Sequence, residues 1–201
     1  MTPTVFVVDD DEALRSALVQ LLESAGFAVA SYADGLAFLE DCVDDRPGCV
    51  LLDVAMPGLS GLEVQEALRS RGLRAPIVFL TGHGDIPMAV RAVQAGAVDF
   101  LEKPVTGAAL LERVRRALAI DQEQRSERAL RQEIAARHRR LSAREREVMR
   151  LVASGSSSKE IARVLGISVR TVEAHRVHVM HKMGASNLAE LVSLAGRCDP
   201  G

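Results

Sequence analysis

Acidic side chains follow two of the short apolar runs in the first half of the chain. Asp9 and Asp10 come directly after the first run, and Asp53 comes directly after the third. If these carboxylates converge, they repel one another and raise at least one pKa, unless a cation offsets their charge. Mg²⁺, or Mn²⁺ in its place, takes oxygen ligands and keeps several waters. The pattern therefore predicts a metal site beside Asp9, in which Asp10, Asp53 and the backbone carbonyl of Ala55 are the ligands.

Two further polar side chains stand at the ends of later apolar runs. Thr81 ends the fourth run, and Lys103 follows the fifth. A carboxylate can attack a phosphoryl donor, while a metal ion, an ammonium and a hydroxyl offset the charge on the transferring oxygens. We therefore expect Asp53 to be a nucleophile that accepts a phosphoryl group, with Thr81 and Lys103 beside it.

Each of these residues has a plainer explanation when it is taken alone. The run Asp9–Asp11 is typical of a helix N-cap, which we expect to be the whole role of Asp11. A pair such as Lys103-Pro104 is common in loops, and Thr81 can be a packing residue. The chemical interpretation depends on the joint placement of all five polar residues at the ends of strands 1, 3, 4 and 5.

The elements that must position these residues alternate between apolar runs and amphipathic segments as far as about Leu118. Strands that are apolar throughout predict a sheet covered on both faces, and hence a doubly wound parallel α/β domain of five strands and five helices. With strand order 2-1-3-4-5, strands 1 and 3 are neighbours at the point where the order reverses, and ligands bind there beyond the carboxyl ends. The predicted strands are Val5–Val8, Ala28–Ser31, Val50–Leu52, Ile77–Leu80 and Phe100–Leu101.

The chain divides into three predicted parts, residues 1–120, 121–140 and 141–201. The middle part is rich in Gln, Glu and Arg, and Leu130 and Ile134 are its only large apolar residues. Because it consists of good helix formers, we expect the last helix of the first domain to continue through it as a linker.

The third part has helical periodicity throughout and predicts an all-α domain of four helices. Ser142 and Glu145 have the spacing of a capping box at the start of the first helix. A short helix, a turn at Gly166 and a longer helix then follow one another, which is the outline of a helix-turn-helix. The last three predicted helices are Lys159–Leu165, Val169–Met183 and Asn187–Ala195.

Composition is that of a globular protein, with 48% hydrophobic and 26% charged residues and a formal net charge of -2. Acidic residues outnumber basic ones by 17 to 10 in residues 1–120, whereas basic residues outnumber acidic ones by 15 to 10 in residues 121–201. The first half therefore suits a cation, and the second suits a polyanion such as DNA. Three cysteines without metal or redox spacing, and no signal peptide or membrane span, lead us to expect a cytoplasmic protein.

Five motifs in the first 118 residues resemble those of the receiver domain of bacterial two-component response regulators. The resemblance implies that Asp53 is the phosphoacceptor, that Asp9 and Asp10 form the acidic Mg²⁺ site, that Thr81 and Lys103 contact the phosphoryl group, and that Phe100 is an aromatic switch. It also implies a cis peptide at Lys103-Pro104, and the segment that begins at Thr81 is similar to the FixJ subgroup. The motifs are Val-Val-Asp9-Asp10, Leu-Asp53-Val-Ala-Met-Pro57-Gly, Thr81-Gly-His-Gly-Asp85, Gly96-Ala-Val-Asp-Phe100 and Glu-Lys103-Pro104.

Residues 141–196 resemble the LuxR-type DNA-binding domain, through Leu141-Ser-Ala-Arg-Glu145, Lys159-Glu160-Ile-Ala162 and Leu165-Gly166-Ile-Ser168-Val-Arg170-Thr171-Val172-Glu173-Ala-His175. The recognition helix enters the major groove by its N-terminal part. Base contacts are expected from Glu173, Ala174 and Val177, and phosphate contacts from Lys159, Arg170, Arg176 and Lys182. Thr171 and His175 complete the predicted DNA-binding set.

Two details of this resemblance stay open. Glu173 can accept a bond from a cytosine amino group, or it can pair instead with Arg170 or Arg176. Family members commonly carry Asn where this chain has Ser158, so the backbone contact of that Asn is in doubt here. Ser157 or Ser158 can instead cap the helix.

Together the two resemblances imply a phosphorylation-controlled transcription factor, which undergoes self-phosphorylation and slow dephosphorylation but is not a turnover enzyme. A sensor histidine kinase supplies the phosphoryl group, promoter DNA is the target, and RNA polymerase is a further candidate partner. The phosphoryl group draws in Thr81 and Lys103, and Phe100 turns inward. The face of the fourth predicted helix and the fifth strand, which includes Val90, Arg91 and Gln94, then becomes a dimer interface.

Three other functions compete with this interpretation. An Asp-nucleophile phosphatase also uses Mg²⁺ and acidic strand ends, but the chain has no cap or substrate-binding insertion. A ligand-sensing LuxR-type activator needs a sensor that encloses a small molecule, and the first half of this chain has no predicted cavity of that kind. RNA binding is disfavoured because the second half offers a helix for a groove and lacks stacking aromatic residues.

Overall fold

The computed structural model describes residues 2–41, 46–82 and 96–198 of the chain. The chain forms two compact units, Met1–Gln124 and Arg125–Gly201. Each unit has its own buried apolar core, as expected for an independently packed domain.

The first unit contains a parallel five-stranded sheet of order β2-β1-β3-β4-β5, which confirms the predicted fold. The observed strands are one to three residues longer than the apolar runs that predicted them, so that Asp53 and Thr81 are the last residues of their strands. The strands are β1 Thr4–Val8, β2 Ala28–Tyr32, β3 Gly48–Asp53, β4 Ile77–Thr81 and β5 Asp99–Glu102.

Three helices of the first unit are α1 Glu12–Ser24, α2 Gly35–Asp41 and α3 Gly61–Ser70. Asp11 caps α1, as expected, because its side chain accepts hydrogen bonds from the amides of the first turn. The helix expected between the fourth and fifth strands falls on residues 83–95, which lie outside the described part of the chain.

Buried residues cover both faces of the sheet. In β1, Phe6 and Val8 belong to one apolar cluster, and Val5 and Val7 belong to the other. Every residue of β3 is buried, as a central strand between two covered faces requires.

A single helix, α4 Gly107–Arg139, runs from the first unit through the segment expected to be the linker. Its early residues Leu110, Val114 and Ala117 are buried in the core of the first unit. Asp121 is also buried there and accepts a hydrogen bond from the Gly48 amide at 2.9 Å. Ile134, by contrast, belongs to the core of the second unit.

The second unit adds four helices to the end of α4, and capping boxes begin two of them, at Ser142 with Glu145 and at Ser157 with Glu160. Ser157 is therefore the cap of the short helix. Gly166 ends that helix with φ of 64°, in the left-handed region that favours glycine. The helices are α5 Ala143–Ala153, α6 Ser158–Leu165, α7 Val169–Met183 and α8 Leu188–Cys198.

The described helices include none with the length and apolar character needed to cross a membrane.

Candidate functional site

The carboxyl ends of three strands bring two carboxylates and a lysine into direct contact. β1 and β3 are hydrogen-bonded neighbours, so Asp9 and Asp53 leave the sheet side by side. Lys103 arrives from the end of β5, and its Nζ lies 2.8 Å from Asp9 Oδ2 and 2.9 Å from Asp53 Oδ1. The predicted convergence of these residues is therefore present in the structure.

Asp9 is fully buried and is held by backbone groups as well as by Lys103. Its Oδ1 accepts from the Asp11 amide at 3.0 Å, and its own amide donates to the Tyr32 carbonyl at 3.3 Å. Arg15 Nη1 donates to the Asp9 carbonyl at 2.7 Å. With its carboxylate and its backbone both held, Asp9 is pre-organised to hold a ligand in one place.

Asp9, Asp10 and Asp53 each offer one oxygen to a group in which all ligand atoms lie within 4.8 Å of one another. In octahedral Mg²⁺ the metal–oxygen distance is about 2.1 Å, so opposite ligand atoms are about 4 Å apart. The three carboxylates are therefore close enough together to be ligands of one hard divalent cation. Asp10 is exposed, which leaves that side open to water ligands. Ala55 is exposed two residues beyond Asp53, between the buried Val54 and Met56. Its carbonyl remains a predicted ligand.

Opposing effects act on the charges of this site. Burial raises the pKa of Asp53 above its ordinary value, and Lys103 opposes this by hydrogen bond and charge, while Asp9 and Asp10 add to the rise. Burial lowers the pKa of the Lys103 ammonium, but its bonds to Asp9 and Asp53 outweigh burial, and the net pKa is raised. Lys103 is thus a positive charge, and Asp53 is a carboxylate whose negative charge is poorly solvated.

Gly61, which sequence reasoning missed, is packed directly against Asp53. Its amide donates to the Val54 carbonyl at 3.0 Å, and a Cβ at this position would lie 2.3 Å from the Asp53 carbonyl oxygen. Val54 in turn donates to the Leu80 carbonyl at 3.0 Å. The start of α3 therefore supports the peptide that carries Asp53, and only glycine leaves room for it.

Thr81 ends β4 in a buried position and is tied to Lys103 through the backbone. The Lys103 amide donates to the Thr81 carbonyl at 2.7 Å. The peptide between Lys103 and Pro104 is cis, which confirms that expectation.

Phe100 is half-buried and packs against the core that contains Phe79. Among the expected residues, Val90, Arg91 and Gln94 lie outside the described residues.

The N-terminal part of α7 carries the exposed side chains expected to contact DNA. Ser168 caps the helix by accepting from the Thr171 amide at 3.1 Å. Among the ion pairs of the described residues, none involves Glu173 or Arg170, and Val177 exposes 66% of its surface. The exposed members of the predicted set are Lys159, Arg170, Thr171, Glu173, Ala174 and Val177, and His175 is half-buried.

Two of the predicted phosphate-binding side chains are held inside the second unit. Arg176 Nη1 donates to Ser158 Oγ at 3.0 Å. The Lys182 ammonium lies 2.8 Å and 2.7 Å from the two carboxylate oxygens of the buried Glu145. Lys182 therefore has a structural partner that links α7 to α5, and its contact with phosphate remains a prediction.

Both units match known family models. The response regulator receiver domain matches residues 5–115, and the model of bacterial regulatory proteins of the luxR family matches residues 139–195. Across the chain, the transcriptional regulatory protein FixJ of Azorhizobium caulinodans is 47% identical over 191 residues, which cover 95% of this chain and 90% of FixJ.

Solved structures agree with these matches. The response regulator StyR superposes with a TM-score of 0.88 at 44% identity, covering 98% of this chain and 100% of StyR. Full-length FixJ from B. japonicum gives a TM-score of 0.62 at 45% identity, with 98% of each chain covered. The chain therefore belongs to the transcriptional response regulators of two-component systems, in which a receiver domain precedes a LuxR-type DNA-binding domain.

Proposed function

We propose that Asp53 accepts a phosphoryl group from the phosphohistidine of a sensor histidine kinase, and that the phosphorylated chain dimerises and binds promoter DNA. The observation that supports this most directly is the group of Asp53, Asp9 and Lys103 at the carboxyl edge of the sheet. Since its partners are DNA and a kinase that phosphorylates it, we place the protein in the cytoplasm.

The chemistry is an in-line transfer to a carboxylate. An Asp53 oxygen attacks phosphorus, the new O–P bond forms as the P–N bond to the histidine breaks, and the imidazole leaves. Lys103, 2.9 Å from Asp53 Oδ1, offsets charge on the transferring oxygens, and the Thr81 hydroxyl donates to one of them. A divalent cation held by Asp9, Asp10, Asp53 and the Ala55 carbonyl supplies further charge neutralisation when it is bound.

The product remains on the protein as an acyl phosphate at Asp53. Each chain therefore takes up one phosphoryl group and returns to its starting state only when water hydrolyses that bond slowly. This behaviour suits the family, whose members are regulators rather than turnover enzymes.

Phosphorylation adds negative charge where Lys103 already bridges two carboxylates, so Lys103 and Thr81 move toward the phosphoryl group. Phe100, half-buried beside this site, turns inward as Thr81 moves. The face that includes Val90, Arg91 and Gln94 then pairs with a second copy. On DNA, the exposed N-terminal part of α7 enters the major groove, and RNA polymerase is a candidate partner of the bound dimer.

The test is selection of DNA from random sequence by the full chain, with and without acetyl phosphate, followed by measurement of affinity and dimer mass. Wild type is expected to gain affinity and to dimerise with acetyl phosphate, and Asp53→Asn is expected to do neither. Asp34→Asn is a matched control, because within the described residues the Asp34 side chain accepts one hydrogen bond, from the Ala37 amide at the start of α2. Phosphate-dependent dimerisation that persists in Asp53→Asn would contradict the proposal.

A further inference from the structure

The last turns of α4 are built into the second unit rather than merely leading to it. Ile134 exposes only 2% of its surface and lies in the same buried cluster as Val179 and Met183 of α7. The match to the luxR family begins at residue 139. The structural domain therefore includes a part of α4 that the family model does not cover.

Arg137 lies one turn beyond Ile134 and reaches the C-terminal end of α7. The carbonyls in the last turn of a helix have no partner within the helix. Two of them accept from the amides of Gly184 and Ala185, at 3.2 Å and 2.9 Å, in a Schellman-type turn. The last carbonyl of α7, that of Met183, accepts instead from Arg137 Nη1 at 2.9 Å.

The position of the Arg137 guanidinium is determined from both sides. Its Nη2 is 2.7 Å from Glu133 Oε1, one turn earlier on α4. Gly184 ends α7 with φ of +68°, and a Cβ at that position would lie 2.6 Å from Arg137 Nη1. A cation at this point also faces the negative end of the helix dipole of α7. Glycine at 184 therefore provides both the left-handed turn and the space for Arg137.

We propose that Arg137 is a positioning residue for DNA recognition, which ties the end of α4 to the C-terminal end of the recognition helix α7. The proposal rests on the DNA-binding role proposed for α7. The 15 residues of α7 make a rod about 22 Å long, so a shift at the held end tilts the exposed N-terminal part in the groove. Lys182 ties the same end of α7 to α5, whereas Arg137 ties it to α4.

The test uses the full chain, treated with acetyl phosphate, and two DNA probes. One is a duplex selected from random sequence by phosphorylated wild type, and the other is poly(dI-dC). Arg137→Met keeps the aliphatic stem and removes every donor. Arg131→Met is the matched control, because among the described residues Arg131 pairs with Glu127 alone, on an exposed stretch of α4. Loss of the charge-assisted bond is expected to weaken binding to the selected duplex about tenfold.

Arg137→Met is expected to bind poly(dI-dC) as wild type does, because phosphate contacts do not depend on a precise orientation of the helix. Arg131→Met is expected to match wild type on both probes. Equal weakening on both probes, or loss of helical circular dichroism at the assay temperature, would show that Arg137 only stabilises the domain. Either result, or an unchanged ratio of the two affinities, would overturn the proposal. If phosphorylated wild type selects no duplex, the proposed function itself fails.

Discussion

Lys103 makes the same kind of contact with two carboxylates at once. Its Nζ is 2.8 Å from Asp9 Oδ2 and 2.9 Å from Asp53 Oδ1, and its side chain is 21% exposed. A proton or metal ion that binds to the Asp53 oxygens must therefore compete with this ammonium for the carboxylate. The strength of that competition can be read from the pKa of Asp53.

Replacement of Lys103 by Met is expected to raise the pKa of Asp53. Burial and the charges of Asp9 and Asp10 already raise this pKa, and Lys103 is the group that lowers it. Carbon NMR titration of the Asp53 carboxyl group in magnesium-free buffer measures the change. Lys103→Arg keeps the charge and should leave the pKa close to that of wild type. A pKa that stays the same in Lys103→Met would show that Lys103 does not act on Asp53.

Asp10 is the exposed member of the acidic group, so its removal tests the metal site with little effect on packing. Asp10→Asn is expected to weaken Mg²⁺ binding about tenfold or more, which corresponds to about 1.4 kcal/mol or more. Calorimetric titration with MgCl₂ measures it. Asp11→Asn removes the same charge one residue later, where the side chain only caps α1, and should bind Mg²⁺ like wild type. Equal affinities in the two variants would exclude Asp10 as a ligand.

The polar residues of the site could be predicted because each one stands directly at the end of an apolar run. Gly61 could not be identified in this way. Its contact with the Asp53 carbonyl depends on how closely α3 approaches β3, and no spacing in the sequence records that distance. The ion pair between Lys182 and Glu145 could not be predicted for a similar reason. A lysine on a helix surface has the same local sequence pattern whether or not it has a partner 37 residues away.

The close approach of α3 to β3 makes Gly61→Ala a sharp test of packing. The added methyl group meets the Asp53 carbonyl and the Phe79 ring, and overpacking of this kind costs about 1–3 kcal/mol. Gly196→Ala is the control, because a Cβ there meets nothing within 4 Å in helix α8, and stability should stay the same or rise slightly. Urea unfolding followed by circular dichroism compares them. Equal stability of the two variants would contradict the contact.

The contact between α5 and α7 predicts how stability responds to acid. The Lys182 ammonium, with the Ser142 amide, lowers the pKa of Glu145 from 4.5 to about 2. A carboxyl group with a lowered pKa in the folded state stabilises the fold above its unfolded value. That contribution is present above pH 4.5 and is lost as the pH falls toward 2.

Glu145→Gln should therefore lower the free energy of unfolding of the second unit at pH 7 and remove this acid dependence. Because the Lys182 side chain is 38% exposed, the expected loss is modest, about 1 kcal/mol. Urea unfolding at pH 7 and pH 3 measures it. Glu147→Gln serves as the control, since Glu147 pairs at the surface with Arg144. A variant Glu145→Gln that keeps the acid dependence of wild type would refute the assignment.

The elements themselves could largely be predicted from local signals. Apolar runs located all five strands, and helix α7 has the predicted bounds, Val169–Met183, because Ser168 and Gly184 mark its ends. Local signals do not predict which distant segments of the chain contact one another. Asp121 and Gly48 are 73 residues apart, and their contact depends on the completed packing of α4 against the sheet.

Over the whole molecule, charge is distributed unevenly although the net charge is only -2. Attraction to DNA depends on where cations lie, because each phosphate contact releases counterions locally. Arg170→Ala is therefore expected to reduce the slope of log affinity against log salt concentration by about 0.9. Arg74→Ala removes an exposed charge from the acidic half and should leave the slope unchanged. Fluorescence anisotropy over a salt series measures both, and equal slopes would rule out a phosphate contact by Arg170.

Tyr32 is the single tyrosine of a chain that has no tryptophan. Its carbonyl accepts the Asp9 amide, its hydroxyl donates to Asp41, and its ring packs edge-on against Phe38 at 5.4 Å. Tyrosine emission from the unmodified protein therefore has one source, and a hydrogen bond joins that residue to Asp9, which contacts Lys103. We therefore expect the fluorescence of Tyr32 to report binding or phosphorylation at the acidic site in real time, without an added label.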